Sequence, residues 1–305
     1  MSTILKKIDK NSRKNIFSQY GKTENEVVED IEMLINWFNV QPHLPEIPTK
    51  SMIEFFLVNN KFSIEITKQK LEMYYTIRSL MPEFYEGINP KLLKMRLNFD
   101  TSYIFPLPEL INDLDRAFLI KFKKVPANEV NIEGFLGKIV NVQEIRIQED
   151  LASRQYVIID CEHLQLHQAL KFTPMHGKIG ATILEKVYSN RIKEIHVINF
   201  HPIANILLKL AKLVVKPKLL EKVVMHESME TFRKSIPLDV LPKDYGGNEI
   251  SLDEIQDLWR KKMDEYADRF DILDKLRVNE DKRPDPVKDI DGSGMQGTFK
   301  KLNID

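Results

Sequence analysis

Few residues in this chain have the types and spacing that chemistry needs. His163 and His167 stand four apart and could share a helix face, as zinc ligands do, but too few further ligands surround them to expect a metal. Cys161 follows a candidate strand and His196 lies on another, so a nucleophile–base pair is conceivable. A buried cysteine acting as a small apolar side chain is the simpler reading. Asp160, at a strand end, could be a carboxylate base or could cap the following turn. Neither Gly177-Lys-Ile-Gly180 nor Asp291-Gly-Ser-Gly294 has the spacing or the strand-to-helix setting of a phosphate loop. No catalytic residue, metal ligand or cofactor is expected, and the chain is not expected to be an enzyme.

Two other features are in excess. The first is apolar surface. Residues 203–215 place Ile203, Ile206, Leu207, Leu210 and Val214 at helical spacing, and Leu208, Leu213 and Val215 make most of the remaining circumference apolar. Two lysines, Lys209 and Lys212, interrupt it. The second is a local group of cations, Arg191, Lys193, Lys216, Lys218 and Lys222, flanking that helix on both sides. Taken alone, such cations also fit a solvated face, and the apolar residues also fit an ordinary core.

Bulk properties narrow the classes. The chain has 305 residues, with 45 basic and 45 acidic side chains, so no global field attracts nucleic acid and membrane attraction must come from a patch. One cysteine rules out an internal disulfide and suits a reducing compartment. The N-terminal residues lack the apolar run of a signal peptide, and no stretch reaches the ~20 apolar residues of a membrane span. A cytoplasmic protein that meets membranes peripherally and reversibly is expected.

The elements that must position these groups follow from periodicity. Residues 26–38 carry Val27, Ile31, Leu34 and Phe38 on one helical face, and the prolines of 41–48 force an extended connector. Residues 51–60 and 64–80 read as a helical hairpin, with Ser63 as N-cap. From Arg116 the texture becomes α/β. Strands are expected at 117–122, 155–160 and 194–200, and helices at 131–149 and 167–188, the latter broken near Thr173-Pro174. This alternation predicts an α/β fold with a mainly parallel sheet. A helix after Ser251 carries Ile255, Leu258 and Trp259, and residues 277–305 read as a polar, loosely ordered tail. Tyr245-Gly246-Gly247 reads as a turn needing glycine.

The order of parts carries a resemblance. A strand ending in Ile198-Asn199, an apolar helix, the Lys216-Pro217 turn, a short strand ending in Met225-His226, and Leu241-Pro-x-x-Tyr245-Gly-Gly247 together resemble the CRAL-TRIO lipid-transfer proteins, nearest to their tocopherol-transfer and retinaldehyde-binding branch. The resemblance runs from about Phe55 to Trp259. It implies an N-terminal helical domain (1–92), a lipid-binding α/β domain (93–270) whose sheet floors a hydrophobic cavity, and a C-terminal tail (271–305). Cavity residues implied in this way are Phe135, Ile139, Ile158, Phe172, Ile183, Leu184, Tyr188, Ile192 and Ile195. Ile203, Ile206, Leu207, Leu210 and Val214 match the family's mobile gate helix, while Arg191, Lys193, Lys218 and Lys222 match positions that hold phosphoinositide phosphates. The family's arginine-rich Phe-Leu signature is replaced here by Phe56-Leu57-Val-Asn-Asn60, leaving Lys61 as the charge. The implied function is carriage of one small hydrophobic cargo, such as a retinoid, tocopherol, carotenoid or similar isoprenoid, between membranes. A non-transferring adaptor that uses the same fold to bind protein is the rival.

Overall fold

The computed structural model describes residues 4–284. Helices α1 (Lys10–Ser18), α2 (Glu24–Asn39), α3 (Lys50–Asn59), α4 (Ile64–Leu80) and α5 (Pro82–Glu86) form the N-terminal layer. Their starts are written in the sequence. Thr23 and Glu26 form a reciprocal capping box on α2, with Thr23 N–H donating to Glu26 Oε2 at 2.7 Å, and Ser63 caps α4. Phe38, Phe56, Tyr74 and Tyr75 pack edge-to-face as the core of this layer.

The α/β part begins earlier than expected from sequence. Helix α6 (Leu93–Phe99) leads into β1 (Ser102–Ile111), which pairs antiparallel with β2 (Asp115–Phe122). The two prolines within 106–110 hid β1, and its register breaks between Pro106 and Leu110, where proline cannot donate to a ladder. Helix α7 (Ile132–Glu149) then crosses to β3 (Gln155–Asp160). A broken segment follows: α8 (Leu166–Lys171), α9 (Pro174–Thr182) and a π-helical turn, Ile183–Val187, leading to β4 (Ile192–Ile198). Helix α10 (Ala204–Val214), α11 (Pro217–Leu220) and the three-residue edge strand β5 (Val223–Met225) complete the sheet.

Sheet order equals chain order, β1 to β5, with every pair after the first parallel. Each crossover moves one strand in the same direction, so right-handed connections put α7, α8–α9 and α10 on one face. Strand register assigns Phe118, Ile120 and Phe122, Val157 and Ile159, and Ile195 and Val197 to that face. The other face carries Leu119, Lys121, Ile158, Asp160 and His196. It is covered by α12 (Met229–Arg233), the turn around Tyr245 and α13 (Leu252–Glu265), with Phe232 against His196 and Tyr245 bonded to Asp160. Gly246 is left-handed, at φ 75°, as its turn requires.

The C-terminal expectation is corrected. Residues 271–275 continue helix α14 (Ala267–Lys275), and 276–284 form a strap across the N-terminal helices. Val278 N–H donates to Ser79 Oγ at 3.1 Å, Asn279 N–H to the His43 carbonyl at 2.9 Å, and the Arg283 guanidinium to Thr76 Oγ1 at 3.0 Å and to the Glu72 carboxylate. Buried Leu276 and Val278 account for the ordering, because this polar-looking stretch still has apolar anchors to bury. The rest of the tail, with Asp291–Gly294, lies outside the described residues.

Candidate functional site

Helix α10 sits over the crossover face but is hardly buried. It rests on α8 and α9, and a Cβ placed at Gly177 of α9 would lie only 3.0 Å from a Val214 methyl. Yet Ala204 is its one buried residue, and Ile206, Leu207, Leu210 and Val214, with Ile203 just before it, are only half-buried. The sheet beneath matches this. Ile120, Ile159, Ile195 and Val223, interior positions of a sheet under a helix, are also half-buried. Phe118, Phe122, Val157 and Val197 of the same face are buried, so the incompletely covered positions occupy only part of that face.

The expected cavity residues divide. Phe135 and Phe172 cluster with Phe122 at the strand ends, Phe122 stacking on Phe135 at 4.8 Å and Phe172 standing edge-on to both, while Ile139 is buried one turn along α7. Ile195 faces the same side. Ile158 does not: it pairs in register with His196 and lies fully buried on the opposite face. The run 155–160 is apolar throughout, so its pleat parity was not readable, and Val157 and Ile159 are the side chains facing α10. Ile183 is fully buried in the core. Tyr188 is buried too, and its hydroxyl donates to Glu144, which also accepts from Tyr74 at 2.6 Å and pairs with Arg78 at 2.5 Å. Burial pushes the Tyr188 phenol well above its ordinary pKa, so it remains a neutral donor. Tyr188 thus ties the π-helical turn to α4 and α7 instead of lining a lipid space.

Leu184 and Ile192 lie elsewhere, in the wall of a cationic cleft of about 420 Å³. Around them stand Lys61, Arg154, Arg191, Lys193, Lys216, Lys218 and Lys222, so the four cations expected from sequence do come together. Three local features build the cleft. Lys61 and Phe62 are both left-handed, which turns α3 into α4 with Lys61 facing the sheet. A bulge in β4 leaves Lys193 as the extra residue opposite Gln155 and Tyr156, and its ammonium meets the Tyr156 hydroxyl. Arg154 is held bidentately by buried Asp115, at 3.1 and 2.9 Å. Arg191 lies over the Tyr20 ring at 5.5 Å. Its Nη1 and the Asn190 Nδ2 are buried with no hydrogen-bond partner among the described residues, a cost that a bound anion would remove.

Arg154 escaped the sequence reading, although a signal existed. In a parallel pair, residues preceding adjacent strands share a sheet end, and Gln155 pairs with Ile192, which sets Arg154 beside Arg191. The groups weighed for catalysis are engaged structurally. Asp160 caps the following turn through Glu162 N–H at 3.0 Å and accepts from Asn199 and Tyr245 at 2.9 and 2.8 Å. Although burial opposes ionisation, the Lys121 ammonium at 2.8 Å and these donors hold its carboxyl below the usual range. Cys161 is buried and its thiol is pushed up to about 11 by that burial. No group of three or more metal-ligating side chains is present among the described residues. No helix there is long and apolar enough to cross a membrane.

Comparison with known proteins agrees with the arrangement. Residues 112–247 match the CRAL/TRIO domain, and residues 23–95 match the Pinta-like UBA domain. The chain is 26% identical over 201 residues to alpha-tocopherol transfer protein-like of Mus musculus and of Homo sapiens, covering 65% of this chain and 58% of each relative. It therefore spans less than two thirds of those relatives' length. The crystal structure of Sfh5 aligns over 85% of this chain and all of that one, at 10% identity and a TM-score of 0.44. The matched segments overlap most of the helical layer and most of the sheet and cleft just described, so these parts of the chain are similar to a Pinta-like UBA domain and a CRAL/TRIO domain.

Proposed function

We propose that this protein is a cytoplasmic carrier that takes up one small hydrophobic molecule beneath α10 and moves it between membranes. One observation carries the reading. The largely aliphatic helix α10 buries a single residue and stands over a sheet face on which Ile120, Ile159, Ile195 and Val223 are only half-buried. Apolar surface left partly exposed to water is costly and becomes favourable once a ligand covers it. A cargo covering a few hundred Å² would gain several kcal/mol at ~25 cal/mol per Å². The cargo class that fits is an isoprenoid, such as a retinoid, tocopherol or carotenoid, bound by Phe135, Ile139, Phe172 and Ile195 with Val157 and Ile159. Ile158 and Tyr188 take no part, being committed to the opposite face and to Glu144.

The cationic cleft is the docking element in this account. Lys61, Arg154, Arg191, Lys193, Lys218 and Lys222 would receive the phosphates of a phosphoinositide headgroup, each cation near an anionic surface contributing ~1 kcal/mol. Helix α10 ends at this cleft, since Val214 is followed by Lys216 and α11. Docking would therefore bring the gate to the bilayer, where its outward Leu213 meets lipid. Asp160, Glu144 and Asp150 each answer to internal partners, which supports a reading of carriage.

The test is uptake. Purified protein is mixed with vesicles containing retinol, tocopherol, carotenoid and phospholipid, re-isolated, and analysed by native mass spectrometry with extraction. A stoichiometric hydrophobic adduct is expected. A protein that stays empty with every cargo would leave the adaptor reading in its place.

A further inference from the structure

Strand β5 ends at a pair of histidines that the carrier reading does not use. His196, buried on β4, and His226, the residue after β5, approach with Nδ1 and Nε2 2.9 Å apart. A hydrogen bond at that distance needs one N–H and one lone pair, so at most one of the two facing nitrogens carries the proton. One added proton is accommodated, giving an imidazolium that donates to an imidazole. Two added protons set N–H against N–H and positive charge against positive charge.

The surroundings offer little relief for the second charge. From β4, Glu194 Oε2 lies 3.2 Å from the far nitrogen of His196 and can offset one charge. From β3, Tyr156 stacks on His196 at 5.9 Å, but its hydroxyl is taken by the Lys193 ammonium, itself a cation. From α12, the Phe232 ring stands 6.2 Å from His196 and 5.5 Å from His226 and is uncharged. The neighbouring Arg233 donates to the Tyr245 carbonyl, and Glu230 pairs with Lys234. From β5 the register partner of His196 is Val224.

We infer that the His196–His226 pair is a proton-sensitive latch, which holds the edge strand β5 to the sheet at neutral pH and releases it on acidification. What it would release is specific. β5 is only three residues long and forms the far anchor of the α10–α11 segment, and Lys222, immediately before it, donates to the Ile192 carbonyl in the cleft wall. Freeing β5 would loosen the lid and one wall of the cationic cleft together. The sign is consistent. Burial lowers both imidazole pKa values, so the stabilisation is complete above the ordinary value of about 6.5 and is lost as pH falls through the lowered folded values.

Hydrogen exchange of the full chain at pH 7.5 and 5.5 tests this, with labelling times scaled for the intrinsic pH dependence. Amides of residues 215–232 should lose protection by roughly tenfold at pH 5.5, the effect of one pH unit on one group kept neutral, while α7 stays protected. His226→Gln retains a donor and an acceptor that do not titrate and leaves buried His196 as the one titrating ring, so the acid loss of protection there should be clearly smaller than in the unaltered protein. Glu194→Gln removes the one compensating charge and should move the loosening to higher pH. Equal protection at both pH values in the unaltered protein overturns the proposal. So does an acid response undiminished in H226Q, or a midpoint unmoved in E194Q. None of these readouts depends on a hydrophobic cargo.

Discussion

Helices α7 and α10 reverse what composition alone would suggest. α7 carries Lys138, Asn141, Gln143, Glu144 and Arg146, and all of them are buried. α10 is largely aliphatic and buries only Ala204. The difference lies in partners. On α7, Lys138 donates to the Phe99 and Ser102 carbonyls at 2.8 and 2.5 Å, Asn141 to the Ile88 carbonyl at 2.7 Å, and Glu144 serves Arg78, Tyr74 and Tyr188. Lys138, Asn141, Glu144 and Arg146 thus have internal partners, which lets the helix serve as the beam between the N-terminal helices and the sheet. The apolar face of α10 has no equivalent closed partner, and that is the condition expected of a lid.

Substitutions should separate the two helices sharply. Glu144→Leu leaves Arg78 charged and buried without its carboxylate, a loss of about 3–5 kcal/mol, seen as a lower urea midpoint. Asp150, just past α7, pairs with Arg116 at 3.0 Å and Arg146 at 3.1 Å. Burial raises its pKa, but the two guanidiniums more than offset this and hold it low. Its stabilisation is present above the unfolded carboxylate value near 3.9 and disappears as pH falls through the lower folded one. Urea midpoints measured between pH 7 and 3 should show that loss, and Asp150→Asn should flatten the profile from a lower starting point.

Effects on the lid and cleft should be functional. Lys218→Gln with Lys222→Gln removes ~2 kcal/mol of attraction to anionic vesicles, roughly thirty-fold in affinity. The difference should shrink as salt is raised in a co-sedimentation assay. Leu207→Gln on α10 should change the urea midpoint by the equivalent of no more than about 1 kcal/mol, while lowering transfer of a fluorescent lipid between vesicles. A Leu207→Gln as damaging to stability as Glu144→Leu would show α10 to be core.

How much of this was legible in the sequence follows from what each residue depends on. The helical starts at Thr23 and Ser63, the parallel alternation from Arg116, and the gathering of Arg191, Lys193, Lys218 and Lys222 rest on local spacing and on order along the chain, which the sequence carries directly. Ile158 against Val157 is a question of pleat parity, and an all-apolar strand gives no alternation to settle it. Tyr188 looked like a cavity wall because its partner Glu144 is 44 residues away, on another helix. Arg154 became visible only once strand register set it beside Arg191. The strap at 276–284 was hidden because two apolar side chains suffice to anchor it.

The most direct test of the lid is to staple it shut. With Gly177→Cys and Val214→Cys, a side chain at 177 meets position 214 at about the separation a disulfide needs, and the native Cys161 is buried away from reagents. Uptake of tocopherol or retinol from vesicles is then followed by native mass spectrometry in the oxidised and reduced forms. The account predicts no adduct when oxidised and a stoichiometric adduct once the bridge is reduced. Equal uptake in both forms would contradict it, because the cargo would then enter without α10 moving from α9.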